Sequence, residues 1–326
     1  MLSPSQPAPR RQQWRYWKGD GTGNDFVVVL DLDDDFSCDA REIAALCNRL
    51  SGIGADGLLR VARHTATAGE NDASFFMDYH NADGSLAEMC GNGIRVFTRF
   101  LIEQGLISYG VHQIATRAGV LTVSAEPETD ISVDMGTAEV LSEELSVVVA
   151  DGAVSKAVAV RMPNPHAVAV TDDLLIDLST SPRHHPEHVL ADGANYEFVT
   201  LLAPGHIAMR VYERGVGQTQ SCGTGACAAA VVAAARWGLG DSWTMHVDVP
   251  GGQLRVHRDL HEHLHLQGPA QITESGLFAF AADGNLRISD VVVHAQPNPQ
   301  LTPVDEQVDA ATSAVPTSRV QTESTQ

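Results

Sequence analysis

Hydrophobic residues along this chain mostly occur in short runs of β-branched and aromatic side chains bounded by turn residues, which is typical of β-strands. Several runs are joined by the proline- and glycine-containing pairs found in hairpin turns, as at Pro204-Gly205 and Pro250-Gly251. The pattern predicts strands over residues 26–30, 75–79, 113–124, 157–161, 167–170, 196–202, 207–212 and 245–249.

Two segments predict helices instead, and each follows a glycine-rich turn. C-G-N-G at Cys90–Gly93 leads into a segment closed by Gly105, and C-G-T-G at Cys222–Gly225 leads into one closed by Gly238. The second segment is apolar on every face, which indicates a helix surrounded by the rest of its domain.

The two halves of the chain share a further spacing, since Asn81 lies nine residues before Cys90 and Glu213 lies nine residues before Cys222. We therefore expect an internal duplication with two similar lobes. The terminal segments are rich in Pro, Ser, Thr and Gln, which is typical of disorder. The predicted organisation is a disordered tail at 1–13, a first lobe at 14–137 completed by strands from 268–294, a second lobe at 138–267, and a disordered tail at 295–326.

The composition is that of a soluble globular protein, with 44% hydrophobic and 19% charged residues. Asp and Glu number 41 against 21 Lys and Arg, and the net charge of -20 argues against nucleic acid or anionic membranes as partners. A small-molecule substrate fits better, and a homodimer is left open. No apolar run approaches the roughly 20 residues of a membrane span, and the N-terminal residues lack a signal core, so a cytoplasmic location is predicted.

The five cysteines are an odd number, which indicates free thiols in a reducing compartment. Cys90 and Cys222 stand where helices are predicted to begin, and helix N-termini lower thiol pKa values and bind anions. Two such thiols facing each other across a cleft could invert a carbon centre, one removing the Cα proton and the other delivering a proton to the opposite face. The remaining cysteines are expected to be structural: Cys38, Cys47 and Cys227.

Only two residues, Lys18 and Lys156, are lysines. Pyridoxal phosphate needs a lysine for its Schiff base, and neither lysine lies in a phosphate-binding sequence context. The lysine count therefore argues against pyridoxal phosphate. No cofactor and no metal site are expected.

Six longer segments occur together in a fixed order. They are G-N-D-F-V-V (23–28), G-I-G-A-D-G-L-L (52–59), N-A-D-G-S-L-A-E-M-C-G-N-G (81–93), N-P-H-A-V (164–168), V-Y-E-R-G-V-G-Q-T-Q-S-C-G-T-G-A-C-A-A-A (211–230) and P-G-G-Q-L-R-V (250–256). Together they resemble the diaminopimelate epimerases, over roughly residues 17–270.

The resemblance implies an α/β (mixed α+β) fold of two pseudo-symmetric lobes, each a curled mixed β-sheet or barrel around a central helix. It also implies a cofactor-independent isomerase that interconverts LL- and meso-2,6-diaminopimelate in lysine and peptidoglycan-precursor biosynthesis. By motif position Cys90 is the proton donor and Cys222 the acceptor, and His166 and Glu213 are polar neighbours that tune the thiols. The implied substrate-binding residues are Asn24, Asn81, Gly91, Asn92, Asn164, Asn195, Glu213, Arg214, Gly223 and Thr224.

Other interpretations stay open at this point. A proline or hydroxyproline racemase would use a cysteine pair on the same architecture. Alternatively, Cys222 and Cys227 could form a dithiol in a non-catalytic redox or binding protein. A metal-binding module is the third alternative, since His261, His263 and His265 alternate on a predicted strand.

Overall fold

The computed structural model describes residues 12–64, 73–281 and 283–294. Every described residue lies in one compact unit. The disordered tails predicted at 1–13 and 295–326 lie outside the described residues, apart from residues 12 and 13.

The described part of the chain forms one sheet of nineteen strands with few helices. The helices are α1 (Ala40–Cys47), α2 (Gly91–Glu103) and α3 (Gly223–Trp237), with a 3-10 turn at Glu187–Leu190. The strands of the first half are β1 (Trp14–Asp20), β2 (Asp25–Leu30), β3 (Gly57–Arg63), β4 (Phe75–Asn81), β5 (Gly110–Thr116), β6 (Gly119–Ala125) and β7 (Ile131–Asp134). The remaining strands are β8 (Glu139–Val148), β9 (Val154–Arg161), β10 (Pro165–Val170), β11 (Arg183–His185), β12 (Asn195–Ala203), β13 (His206–Glu213), β14 (Gly217–Thr219), β15 (Trp243–Val249), β16 (Gly252–Arg258), β17 (Leu264–Gly268), β18 (Gln271–Phe280) and β19 (Leu286–Val293).

Strand pairing repeats itself along the chain. In the first half β1 pairs antiparallel with β2, β2 parallel with β3, β3 antiparallel with β4, β4 parallel with β5, and β5 and β6 continue antiparallel to β7. The second half repeats this order of antiparallel and parallel pairs. There β9 pairs antiparallel with β10, β10 parallel with β12, β12 antiparallel with β13, β13 parallel with β15, and β15 and β16 continue antiparallel to β17. The two runs join where β7 pairs with β17. The predicted α/β class is confirmed, and the lobe boundaries stay a prediction.

The predicted strands fall inside observed strands with one exception. Residues 113–124 were expected to form a single strand, and they form the β5–β6 hairpin instead. The Thr116 hydroxyl turns the chain there, since it donates to the Gly119 carbonyl and accepts from the Ala118 amide. Gly119 adopts a φ of 116°, which favours glycine.

Helix α2 packs against strands of the first half and against β18, and α3 packs against strands of the second half. Helix α2 contacts β1 to β4, β6, β7 and β18, and α3 contacts β9, β10, β12, β13 and β15 to β17. The apolar sequence of α3 is explained by this burial on every side. Gly238 ends α3 in the left-handed conformation with a φ of 62°, as the sequence predicted. Within the described ranges no helix has the length and apolar character to cross a membrane.

Candidate active site

Helices α2 and α3 meet N-terminus to N-terminus. A Cβ added to Gly223 would lie 3.2 Å from the Gly91 Cα and 2.8 Å from the Leu266 side chain. Two glycines therefore allow the first turns of both helices to approach each other closely. Because the first amides of a helix have no partner inside it, this junction concentrates N–H donors and the positive ends of two helix dipoles.

A cavity of about 600 Å³ lies at this junction. Most of the residues that the sequence singled out line it together. They are Asn24, Asn81, Cys90, Gly91, Asn92, Asn164, Glu213, Arg214, Cys222, Gly223 and Thr224. His166 and Asn195 are buried and do not line the cavity.

Cys90 is the N-cap of α2, and its Sγ accepts a hydrogen bond from the Gly93 amide at 3.3 Å. The same sulfur lies 3.6 Å from the Asn24 Oδ1. Asn24 is oriented by Asp56, because its Nδ2 donates to the Asp56 Oδ2 at 2.6 Å and a carboxylate can only accept. The Cys90 thiol therefore faces the oxygen of a neutral amide.

Cys222 is the N-cap of α3 and is 5% exposed. Its thiol lies 3.5 Å from the Thr224 hydroxyl, and the Glu213 carboxylate interacts with it electrostatically. Thr219 donates a hydrogen bond of 2.5 Å to Glu213. The second cysteine thus sits beside an acid, whereas the first sits beside an amide.

The helix N-termini were expected to lower the thiol pKa values, and in the structure this expectation is wrong. Burial raises the pKa of Cys90 to about 11, although the amides of Gly93 and Asn92 act in the opposite direction. Burial also raises the pKa of Cys222 well above its usual value, and the negative charge of Glu213 adds to the effect. Loss of hydration therefore outweighs the helix amides at both thiols.

The internal duplication explains why the polar residues converge. Asn81 is the last residue of β4, and Glu213 is the last residue of β13, the equivalent strand. Asn24 and Asn164 directly precede β2 and β10, which are also equivalent. Because the two halves share one topology, these four positions reach the same cavity from both sides.

His166 and Asn195 do not line the cavity, but each hydrogen-bonds to a residue that does. The His166 ring contacts the Glu197 carboxylate at 2.7 Å through Nδ1 and the Asn164 Oδ1 at 2.9 Å through Nε2. Asn195 accepts a hydrogen bond of 2.8 Å from the Arg214 amide. The hydrogen bonds of His166 therefore orient Asn164. Its effect on the thiols stays a prediction.

Sequence reasoning missed several residues of this site. Asp56 and Ser221 line the cavity, and Thr219 binds Glu213. Arg95 is fully buried beneath the cavity on α2. Its signal in the sequence was a charged residue four positions after Gly91, on the helix face that had to be buried.

Replacing Gly251 with alanine is expected to destabilise the protein and displace the Asn24 loop. A Cβ at Gly251 would lie 2.0 Å from the Thr22 carbonyl oxygen, so the backbone of one segment must move. We expect a loss of about 1–3 kcal/mol in the free energy of unfolding, measured by chemical denaturation. The matched control is Gly240→Ala, where a Cβ meets no atom within 4 Å. Equal stability of the two variants would contradict the close approach.

The structure does not favour the metal-binding module or the Cys222–Cys227 dithiol. His261 and His263 lie in the loop between β16 and β17, and only His265 lies on a strand, so the predicted alternation on one strand is wrong. Within the residues that the structure describes, no three His, Cys, Asp or Glu side chains converge as metal ligands. Cys227 is fully buried inside α3, out of reach of a redox partner.

Comparison with known proteins decides the family. A sequence profile of diaminopimelate epimerase matches residues 16–141 and 158–273, which is most of the chain. This chain belongs to the diaminopimelate epimerase family. The diaminopimelate epimerase of Streptomyces coelicolor is 45% identical over 274 residues, covering 81% of this chain and 94% of that protein. The diaminopimelate epimerase of Thermobifida fusca is 43% identical over 285 residues, covering 84% and 98%.

Solved structures of other enzymes share the fold of this diaminopimelate epimerase family member. A phenazine biosynthesis protein of the PhzF family from Bacillus anthracis matches with a TM-score of 0.60 at 15% identity, covering 82% of this chain and 99% of that one. A hydroxyproline epimerase from Agrobacterium vitis also matches with a TM-score of 0.60, at 12% identity, covering 84% and 94%. At these identities the likeness shows the fold alone.

Proposed function

We propose that this protein interconverts LL- and meso-2,6-diaminopimelate by two-base proton transfer at Cα, in lysine and peptidoglycan-precursor biosynthesis. The observation that carries the proposal is the pair of cysteines at the N-caps of two helices whose first turns meet in one cavity. Membership of the diaminopimelate epimerase family supports the choice of substrate.

The chemical step exchanges one proton on each face of the Cα. The thiolate of one cysteine removes the Cα proton and becomes a thiol, while the thiol of the other delivers its proton to the opposite face and becomes a thiolate. The product has the inverted configuration, and the two sulfurs have exchanged protonation states. The reverse reaction starts from that exchanged state. Before another turnover in the same direction, the new thiol loses its proton to solvent and the new thiolate takes one up, so no net proton is consumed.

The contacts of the thiols support a division of roles in the LL-to-meso direction. Glu213 lies beside Cys222 and can accept its proton, which favours Cys222 as the base. Cys90 faces the Asn24 oxygen, which accepts a hydrogen bond from a protonated thiol and favours Cys90 as the acid. This assignment agrees with the donor and acceptor roles implied by motif position.

Substrate binding follows from the charges of a diamino dicarboxylate. The carboxylate at the reacting centre would lie on the first-turn amides of α2 and α3, at Gly91, Asn92, Gly223 and Thr224. The exposed guanidinium of Arg214 can bind the distal carboxylate with two hydrogen bonds. Amide oxygens and the Glu213 carboxylate suit the ammonium groups. The asparagines proposed to contact or support the substrate are Asn24, Asn81, Asn164 and Asn195.

No cofactor is needed for this chemistry. Of the two lysines, Lys18 pairs with Asp25 at 3.1 Å and Lys156 lies on β9, so neither lines the cavity where a Schiff base would form. The family implies a small-molecule substrate. We propose a cytoplasmic enzyme without nucleic acid or membrane partners, in line with its net charge of -20 and free thiols.

Heavy water tests the proposal directly. With LL-diaminopimelate in D₂O, the first meso product is expected to carry deuterium at the inverted Cα, because the donor thiol exchanges with solvent. Substrate recovered early should keep protium. Starting from meso-diaminopimelate, the first LL product should carry deuterium at its inverted Cα, and the meso substrate recovered early should keep protium. Mass spectrometry that finds the original hydrogen retained in the product would rule out two separate bases.

A proline assay separates the proposal from the racemase alternative, which shares the fold of the hydroxyproline epimerase. We expect no racemisation of L-proline or trans-4-hydroxy-L-proline under conditions of rapid diaminopimelate turnover. Polarimetry or chiral chromatography measures both. Turnover of proline at a comparable kcat/KM would contradict the assigned substrate.

Mild oxidation is expected to join Cys90 to Cys222 and abolish activity. Diamide would take up two electrons and two protons from the thiols as the S–S bond forms, and dithiothreitol would reverse the reaction. Gly91 and Gly223, the residues that follow the two cysteines, approach each other closely, which favours a disulfide between Cys90 and Cys222. Peptide mass spectrometry of the inactive protein should find this crosslink. Inactivation with both thiols unlinked would be the contrary result.

A further inference from the structure

Among the described residues, Arg95 is the largest fully buried side chain, with an exposure of 0%. It is the fifth residue of α2, directly behind the turn that carries Cys90, Gly91 and Asn92. Charged side chains are rarely buried completely unless a charged partner accompanies them. Burial of the Arg95 guanidinium is therefore energetically costly unless other groups compensate its charge.

The acceptors of Arg95 are all neutral. Its Nη1 donates to the Gly91 carbonyl at 3.0 Å, and its Nη2 donates to the Thr22 hydroxyl at 2.8 Å and to the Asn92 Oδ1 at 2.9 Å. Its Nε lies 3.4 Å from the Pro269 carbonyl. Within the described part of the chain no carboxylate forms an ion pair with it.

The position of Arg95 is unfavourable for an isolated cation. It lies near the N-terminus of α2, where the helix dipole is already positive. Burial lowers the pKa of its guanidinium to about 10, and the negative charge on Cys90 is the largest interaction in the opposite direction. Asp130, Asp20 and Cys227 act in the same direction as Cys90 with smaller effects. The charge of Arg95 is therefore best balanced when an anion occupies the adjacent cavity.

Arg95 also determines the orientation of Asn92. A guanidinium only donates, so the Asn92 Oδ1 must face it, and the Nδ2 is left to donate to the Ser221 hydroxyl at 2.7 Å. Ser221 in turn donates to the Thr22 carbonyl at 2.8 Å. This chain of hydrogen bonds joins the first turn of α2 and the β1–β2 turn to Ser221, the residue before Cys222, and so connects the two halves of the site.

We propose that Arg95 is a positioning residue for epimerisation: it orients Asn92 and holds a buried positive charge behind the two helix N-termini, where it stabilises the Cys90 thiolate and the substrate carboxylate. The part that concerns the carboxylate rests on the proposed function. The part that concerns the thiolate does not, because it involves only residues of this chain.

Alkylation of Cys90 tests the electrostatic role without substrate. Iodoacetamide reacts with the thiolate, so the pH dependence of Cys90 labelling, followed by peptide mass spectrometry under single-hit conditions, reports the thiolate fraction. The titratable groups that interact with this thiol include Glu213, Arg95 and the Tyr79 phenol. In Arg95→Met we expect labelling at pH 8 to be about tenfold slower than in the wild type, equivalent to about one pH unit in the labelling profile.

Two further variants separate charge from structure. Arg95→Lys keeps the charge but cannot make all the contacts of a planar guanidinium, so labelling should stay within about threefold of the wild type while the KM for diaminopimelate rises. Thr22→Val removes one neutral acceptor and leaves the charge, so it should label like the wild type. Epimerisation by Arg95→Met should fall in kcat by about 10²-fold. Thermal melting and circular dichroism establish that each variant is folded.

A folded Arg95→Met that labels Cys90 at the wild-type rate would overturn the proposal. If that variant does not fold, a labelling measurement on the wild-type protein tests the proposal instead. Iodoacetate is an anion and iodoacetamide is neutral, so the ratio of their labelling rates reports the electrostatic potential at a thiol. That ratio at Cys90, divided by the same ratio for glutathione, should exceed one despite the protein's net charge of -20. A value of one or below overturns the proposal. If the wild type fails to epimerise diaminopimelate in D₂O, the proposed function fails while the labelling result still judges Arg95.

Discussion

Replacing Cys222 with alanine is expected to abolish epimerisation, and Cys90→Ala should have the same effect. Each direction of the reaction needs a thiolate on one face of Cα and a thiol on the other, so neither sulfur can replace the other. General acid and base catalysis typically contributes roughly 10²–10⁴-fold to a rate. With one partner missing we expect kcat to fall by at least about 10³-fold in either variant.

Chiral chromatography of diaminopimelate, started separately from the LL and meso isomers, measures this loss. The matched control is Cys227→Ala, which removes a fully buried thiol from the same helix as Cys222. That variant should lose some stability, about 1 kcal/mol or more, and keep its turnover. The two-base proposal would be wrong if Cys90→Ala or Cys222→Ala retained wild-type turnover in both directions.

Glu213→Gln is expected to lower kcat by about 10²-fold or more and to change the pH dependence. The Glu213 carboxylate interacts with the Cys222 thiol, and a neutral amide in its place could not take up the thiol proton. Burial raises the pKa of Glu213 above its usual value, so the carboxyl stays protonated to a higher pH than an exposed glutamate. The wild-type kcat/KM should therefore decline as the pH falls through this raised pKa, and the variant should lack that decline.

Stability distinguishes this effect from misfolding. The pKa of Glu213 is higher in the folded protein than in the unfolded chain, so this carboxyl ionises first in the unfolded chain as the pH rises. Above the unfolded pKa, Glu213 therefore lowers the free energy of unfolding. Glu213→Gln should thus be at least as stable as the wild type at pH 8. Glu103→Gln is the matched control, since burial also raises the pKa of that residue, at the far end of α2 from the cavity. Loss of activity in Glu103→Gln would argue against a specific role for Glu213.

Much of the fold was predictable because it follows from local patterns. Runs of β-branched residues marked the strands, and the closing glycine at 238 marked the end of α3. The hairpin at 116–119 was missed, since its turn depends on the hydrogen bonds of one threonine hydroxyl rather than on a glycine-proline pair. The cysteine pair was predictable from the repeated C-G-x-G turns, which are local signals that occur twice.

The sequence by itself determined the strand-rich class, the two helices with cysteines at their N-termini, and the family motifs, because these depend on neighbouring residues. Only the tertiary structure decided how those parts act on one another. It brought Gly91 against Gly223, gave Cys90 an amide neighbour and Cys222 an acid, and raised both thiol pKa values by burial. It also left the charge of Arg95 buried among neutral acceptors. Burial and hydrogen-bond direction depend on segments far apart in the chain, so spacing in the sequence does not encode them.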